Sequence, residues 1–170
     1  MNGSLITVDN RPALRFERHL DHSVERVWRA ISEPEELRRW YPGVPTWDLE
    51  PGASFTNEQW EGAGQINEVE PPRLLAYTWG VEQFRFELQP DGDGCLLVFI
   101  HVFDDRALGA QHAAGWDTYF DRLDAHLAGG YLSEEEAHER WPELHERYAE
   151  SFGLDPEVGR RMFAQHQRQE

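Results

Sequence analysis

The sequence predicts an α+β fold in which a curved antiparallel sheet packs against a long helix. Strand-like alternation and turn residues fill the chain from Thr46 to Phe103, whereas helical periodicity is confined to the residues before and after that stretch. Strands and helices are therefore segregated along the chain, which is typical of α+β proteins. The helix after the strands has a long aromatic face, which it must bury on the sheet.

The N-terminal part of the chain predicts one strand followed by two helices. Residues 14–20 alternate between apolar and polar side chains, a pattern typical of a half-buried strand. Residues 24–31 then carry apolar side chains at helical spacing, after a capping residue that is either Asp21 or Ser23. A first-turn proline begins a second, short helix over residues 34–41.

The central part predicts an antiparallel meander followed by the long helix. Clusters of glycine, proline and aspartate divide it into about five or six strands. On one of them Phe84, Phe86 and Leu88 face one way, and the charged residues between them face the other. After Asp105 the period returns to helical, and this helix ends at the glycine pair that precedes Tyr131.

The last forty residues predict a separate helical extension. We divide the chain into an α+β domain over residues 1–130 and an extension over residues 131–170, which begins with a capping box at Ser133. The outward residues of the last strand, Leu96 to Val102, are apolar, so we expect both sheet faces to be covered. The cover would be either the extension or a second subunit, as in a homodimer, and the extension itself would pack on the domain or on a partner subunit.

The charge balance excludes several classes of partner. Sixteen basic residues, all of them arginine, stand against 32 acidic ones, which gives a formal net charge of −16. Because nucleic acids and anionic membrane surfaces are bound through basic patches, we expect neither as a partner. Residues 1–10 lack the features of a signal peptide and no stretch is apolar enough to span a bilayer, so the sequence predicts a cytoplasmic protein.

Several short segments match one known family in their order along the chain. They are residues 16–18, 24–31 and 33–41, Pro51-Gly52 before Phe55, Gly64 before residues 69–74, Tyr77-Thr78-Trp79, His101, Gly115-Trp116 and residues 123–127. Together they resemble the AHSA-type branch of the SRPBCC (START-like) superfamily over roughly residues 14–128. The resemblance implies a helix-grip fold, a sheet wrapped round a long C-terminal helix, often with a hydrophobic cavity between them.

The resemblance also implies a candidate ligand-binding site between the sheet and the helix. Its lining would come from inward strand residues and from one face of the closing helix: Phe55, Tyr77, Trp79, Phe84, Phe86, Phe99, His101, Trp116, Tyr119, Phe120 and Leu123. An aromatic lining with few polar groups suits a hydrophobic or aromatic small molecule. The same side chains could instead fill a solid core, and His101 could be a buried histidine satisfied by its neighbours.

Two other classes of function remain open at this point. Members of the superfamily include lipid and sterol carriers, plant hormone receptors, polyketide cyclases and activators of a heat-shock chaperone's ATPase, so the fold does not determine the function. A polyketide cyclase or dehydratase would need polar groups converging in the pocket, and a chaperone-regulating module would use the acidic surface. No residue pattern predicts a catalytic residue, a metal site or a cofactor. His138 and His145 are interpreted as part of a solvated charged face.

Overall fold

A computed structural model describes residues 3–166, and its centre is a single eight-stranded antiparallel sheet. The strands are β1 Gly3–Val8, β2 Arg11–Leu20, β3 Pro45–Thr46, β4 Ser54–Asn57, β5 Gly64–Glu70, β6 Leu74–Trp79, β7 Glu82–Asp91 and β8 Gly94–Val102. Their order across the sheet is β1-β2-β8-β7-β6-β5-β4-β3. The predicted α+β class and the meander of five or six strands are confirmed, since β3 to β8 follow one another along the chain.

Six α-helices complete the described part of the chain. They are α1 Val24–Ser32, α2 Pro34–Leu37, α3 Gly109–Leu127, α4 Glu134–His138, α5 Trp141–Phe152 and α6 Glu157–His166. Ser23 caps α1 by accepting a hydrogen bond from the Arg26 backbone N–H, and Ser133 forms the predicted capping box with Glu136. None of the helices within residues 3–166 has both the length and the apolar character that crossing a membrane requires.

Strand β1 is an addition that the sequence analysis did not anticipate. It pairs with β2 through a two-residue turn, Asp9-Asn10, in which both residues have positive φ angles of 48° and 63°. Asparagine and aspartate tolerate this left-handed conformation better than other non-glycine residues, and such turns match the twist of paired strands. The hairpin extends the sheet by one edge strand and lengthens the predicted strand over residues 14–20.

The core lies between the inward face of the sheet and α3. Phe99 on β8 sits at its centre, with ring centroids 4.7 Å from Phe86 on β7, 4.4 Å from Trp116 and 5.4 Å from Phe120 on α3. All four side chains are buried. A register shift in β5 between residues 66 and 68 adds local twist, which helps the sheet to curve round the helix.

The outward face of β8 is covered by charged side chains of its neighbouring strands. Ile100 lies between Arg15 and Arg85, and the adjacent Val98 lies between two glutamates of the same strands. Arg85 donates to Glu87 on the same strand at 2.6 Å, which holds its side chain along β7 beside Ile100. The extension packs elsewhere in the described part of the chain, because α5 contacts α3 on the other side of the sheet.

The extension is joined to the domain by a buried polar contact. Tyr148 on α5 is fully buried, and its hydroxyl donates a hydrogen bond of 2.5 Å to the Asp117 carboxylate on α3. The backbone N–H of Gly3 donates to the same hydroxyl at 2.9 Å. His145 is also buried, with its ring stacked on Trp141 at 4.9 Å, so the interpretation of His145 as part of a solvated face is wrong.

Candidate functional site

A pocket of about 340 Å³ opens at one end of the interface between the sheet and α3. Its size falls at the lower end of the range for small-molecule sites, roughly 300–1,000 Å³. It draws side chains from the sheet, from α3 and from two irregular segments: Tyr41, Trp60, Trp79, Glu82, Phe84, His101, Gln111, His112, Gly115, Trp116 and Tyr119. Deeper in the interface the phenylalanines of the core fill the space.

Local structure explains why these strand residues line the pocket. Gly80, with a φ of 58°, helps to turn the chain between β6 and β7, and this places Glu82 directly opposite Trp79. Directly paired residues share one face of a sheet, so both side chains point inward. Two residues further along β7, Phe84 pairs with His101 on β8, and their rings stack with centroids 4.6 Å apart.

The helix and two irregular segments supply the remaining aromatic rings. On α3, residues 112, 115, 116 and 119 recur at helical spacing and present one face to the pocket. Tyr41 follows α2, and its ring centroid lies 5.8 Å from that of Trp116 and 6.4 Å from that of Trp60. Trp60 in turn lies 5.8 Å from Trp79. The rings therefore surround an open space from several sides.

A chain of hydrogen bonds fixes the protonation of His101. The indole N–H of Trp116 donates to Nδ1 of His101 at 3.0 Å, and Nε2 of His101 lies 3.1 Å from a carboxylate oxygen of Glu82. An indole nitrogen is only a donor, so Nδ1 must be the accepting nitrogen and Nε2 must carry the proton. His101 is therefore a neutral imidazole, which is buried and satisfied at both ring nitrogens.

Two further groups of this wall, Glu82 and His112, differ in charge. Burial raises the pKa of Glu82, but the hydrogen bond from His101, together with the charge of Arg11, outweighs burial and holds that pKa below its ordinary value. Burial and the adjacent His101 lower the pKa of His112 to about 4. At neutral pH the wall therefore carries an ionised Glu82 and a neutral His112.

The tyrosines near the pocket stay protonated. The hydroxyls of Tyr41 and Tyr77 share a hydrogen bond, and burial raises the pKa of each above the ordinary tyrosine value. Tyr119 donates to Glu134 on α4 at 2.7 Å, and burial, with the charge of Glu134, raises its pKa as well. None of the three is poised to act as a base at neutral pH.

The structure divides the sequence-predicted site residues into two groups. Five of them line the pocket: Trp79, Phe84, His101, Trp116 and Tyr119. The other six lie in the buried core below or beside it: Phe55, Tyr77, Phe86, Phe99, Phe120 and Leu123. Asn57, an inward polar candidate on sequence grounds, lies outside the pocket lining on β4, where its side-chain oxygen accepts a hydrogen bond from the Gln59 N–H.

Six lining residues were not among those predicted: Tyr41, Trp60, Glu82, Gln111, His112 and Gly115. Glu82 had a usable signal, because an alternating strand that places Phe84 and Phe86 inward also places residue 82 inward. Gln111 and His112 precede the predicted aromatic stripe of α3 and lie on its first turn. Trp60 comes from a loop whose path the sequence pattern does not define.

A second cavity, of about 480 Å³, lies at the opposite end of the β7–β8 hairpin. It is larger, but turn residues and polar side chains form much of its wall, including Ser23, Arg73 and Asp93. The aromatic pocket is the better candidate because it combines apolar walls with a few converging polar groups. Within residues 3–166, no group of three or more His, Cys, Asp or Glu residues is arranged to hold a metal ion.

Solved structures with the same fold come from several bacteria. CalU16 from Micromonospora echinospora has a TM-score of 0.74 at 23% identity, over 89% of this chain and 96% of CalU16. EF2215 from Enterococcus faecalis, a conserved protein of unknown function, has a TM-score of 0.72 at 18% identity, over 89% and 90%. DynU16, from the dynemicin biosynthetic locus, has a TM-score of 0.62 at 25% identity, over 70% of this chain and 48% of DynU16.

The family is identified by sequence rather than by these structures. No curated protein matches the chain. Residues 21–128, well over half of the chain, match the family described as Activator of Hsp90 ATPase homolog 1-like protein. The match, the sheet wrapped round α3 and the similar structures agree with one another. The chain therefore belongs to the Activator of Hsp90 ATPase homolog 1-like family, in the AHSA-type branch of the SRPBCC superfamily.

Proposed function

We propose that this protein binds a hydrophobic or aromatic small molecule in the pocket between the sheet and α3. The observation that carries the proposal is the aromatic wall, in which Trp60, Trp79 and Trp116 surround a space that no side chain of the described residues fills. Aromatic walls with a few polar groups are the usual composition of small-molecule sites. A filled core would leave no such space, and around Phe99 the rings of Phe86, Trp116 and Phe120 pack directly on it.

The similarity to DynU16 also supports the binding of a small molecule. DynU16 comes from a biosynthetic locus, a setting in which organic small molecules are made. This chain covers about half of that protein, so the association supports the class of ligand and not a particular compound. A ligand that is apolar over most of its surface and carries a polar group at one end would match the pocket.

The geometry favours binding over general base catalysis at His101. Both ring nitrogens of His101 already have partners, Trp116 on one side and Glu82 on the other. A base must have a lone pair directed at the proton it removes. The polyketide cyclase alternative therefore finds no free base at His101.

Gly115 offers a direct test of the pocket. A Cβ atom built on this residue meets no heavy atom within 4 Å, and the residue lines the pocket, so a larger side chain would enter it without displacing the core. We expect Gly115→Leu to abolish binding of a neutral aromatic probe, naphthylmethanol, measured by calorimetry. Gly115→Ala is the matched control, because it gives α3 the same gain in helix propensity, about 1 kcal/mol, with little loss of space.

Native mass spectrometry of the freshly purified protein is the companion measurement. A mass above that of the polypeptide, lost on denaturation and absent from Gly115→Leu, is the expected result. A wild-type protein that carries no adduct and binds naphthylmethanol no better than Gly115→Leu would overturn the proposal.

A further inference from the structure

The pocket carries a net negative charge at neutral pH. Of its lining residues only Glu82 is ionised, because the hydrogen bonds of His101 require a neutral ring and His112 is neutral above a pKa of about 4. No arginine or lysine belongs to the lining. A ligand with a carboxylate or phosphate would therefore meet repulsion and no compensating cation.

The Glu82 carboxylate is only partly satisfied by the protein. Among the described residues, its one hydrogen-bond donor is the neutral N–H of His101, at 3.1 Å. The Arg11 guanidinium, whose charge acts on Glu82, is engaged by Asp104 at 2.8 Å and by the Val81 carbonyl at 2.6 Å. Within residues 3–166, no arginine lies within 4.0 Å of Glu82. The carboxylate thus retains capacity for a cationic partner from outside the chain.

Two further polar atoms at the pocket wall lack partners. Oε1 of Gln111 and Nε2 of His112 are both buried without a hydrogen bond among the described residues. Buried polar atoms are nearly always paired in folded proteins, so these two atoms leave the hydrogen bonding of this wall incomplete. The Gln111 oxygen is an acceptor, as is the free carboxylate oxygen of Glu82. The polar wall therefore favours a ligand that donates hydrogen bonds.

The aromatic rings of the wall favour the same kind of ligand. The faces of tryptophan and tyrosine attract cations within about 6 Å of the ring centroid. Trp60, Trp79 and Trp116 and the two tyrosines of the wall, Tyr41 and Tyr119, surround the space beside the carboxylate. The net charge of −16 on the whole chain also raises the local concentration of organic cations relative to anions.

We propose that the ligand is an organic cation: an apolar or aromatic molecule whose protonated amine pairs with the Glu82 carboxylate. This inference rests on the proposed binding function and names the chemical class of its ligand. The ammonium would donate to Glu82, while the apolar part would lie among the tryptophans. A phenol or an alcohol would make some of these hydrogen bonds, but it would leave the carboxylate charge uncompensated.

Three probes of one size test this assignment. Naphthylmethylamine, naphthylmethanol and naphthoate share an aromatic body and differ in the charge of the polar group. We expect calorimetry at neutral pH to give the tightest binding for the amine, about tenfold tighter than the alcohol, which corresponds to about 1.4 kcal/mol. We expect the carboxylate to bind weakest, and the preference for the amine to shrink as salt is added.

Variants of two glutamates on β7 separate the role of Glu82 from general electrostatics. Glu82→Gln keeps the size and an acceptor oxygen for His101, so we expect amine affinity to fall about tenfold, to the level of the alcohol. Alcohol affinity should change less than about threefold. Glu87→Gln is the matched control, because Glu87 lies on the opposite face of the sheet and is engaged by Arg85, and amine binding should be unaffected.

Each outcome bears on one proposal or on both. If the alcohol binds and Gly115→Leu abolishes that binding, but the amine has no advantage or Glu82→Gln leaves amine affinity unchanged, the inference is refuted and the proposed function stands. If naphthoate binds as tightly as the amine, the inference is also refuted. If none of the three probes binds, both proposals fail.

Discussion

The partly buried His112 should make the stability of this protein depend on pH, and His112→Gln should remove that contribution. Burial, together with the nearby His101, lowers the pKa of His112 to about 4 from an ordinary value of 6.5, although Glu82 and Asp105 oppose the shift. The unfolded chain therefore takes up a proton at a higher pH than the folded chain. Because the unfolded state binds more protons between these two values, stability falls as the pH is lowered from 6.5 towards 4.

The size of the effect follows from the two pKa values. The difference between a folded pKa of about 4 and an unfolded pKa of 6.5 corresponds to roughly 3 kcal/mol of folding stability. This stability is lost as the pH falls from 6.5 to about 4. At about pH 5 most of the window has been crossed, and the expected loss relative to about pH 7.5 is roughly 2 kcal/mol. These are upper values, because His112 is not completely buried and solvent screens part of the interaction.

Urea unfolding at the two pH values is the appropriate assay. On acidification, the free energy of unfolding of the wild-type protein should fall by about 2 kcal/mol more than that of His112→Gln. This difference does not depend on how far the substitution destabilises the protein at neutral pH. His22→Gln, at a partly exposed histidine in the loop before α1, is the control and should lose as much as the wild type. If His112→Gln and wild type show the same pH dependence, the reasoning about His112 is wrong.

Two further predictions concern the extension. Tyr148→Phe removes the donor to the buried Asp117 carboxylate, so the free energy of unfolding in urea should fall by about 1.5–3 kcal/mol. An unchanged free energy of unfolding would show that this contact does not stabilise the fold. Gly159→Ala would place a Cβ atom 2.0 Å from Nε2 of the buried His145, so this variant should melt at a lower temperature, whereas Gly115→Ala should melt higher. A rise in melting temperature for Gly159→Ala would contradict the close packing of Gly159, on α6, against the His145 ring.

Most of the fold could be predicted because its elements follow simple periodicities. The alternation around Phe84 and the aromatic stripe of α3 each identify an element and its buried face. The edge strand β1 was missed, although Asp9-Asn10 is a recognisable hairpin turn. Its apolar residues Leu5 and Ile6 are adjacent rather than alternating, and that pattern does not distinguish an edge strand from a loop.

The site was less predictable than the fold for a geometric reason. Sequence alternation identifies which residues point inward, but it does not distinguish a filled layer from an open one. Phe99 and Trp79 both point inward, and only the placement of α3 and of the loop with Trp60 leaves space beside one of them. The buried His145 shows the same limit, because its burial depends on a stack with Trp141 and on the approach of α6.

The hydrogen bonds of Tyr148 have a consequence for how the chain reaches its final state. This side chain joins the first strand to the helix that closes the sheet, across a separation of 145 positions. During synthesis the residues of the sheet and of α3 leave the ribosome before Tyr148, so the Asp117 carboxylate lacks this donor until α5 follows. The contact with Gly3 joins residues near the two ends of the described chain, and closing so long a loop costs conformational entropy. The extension can therefore complete the surroundings of Asp117 only after the residues of the domain have been made.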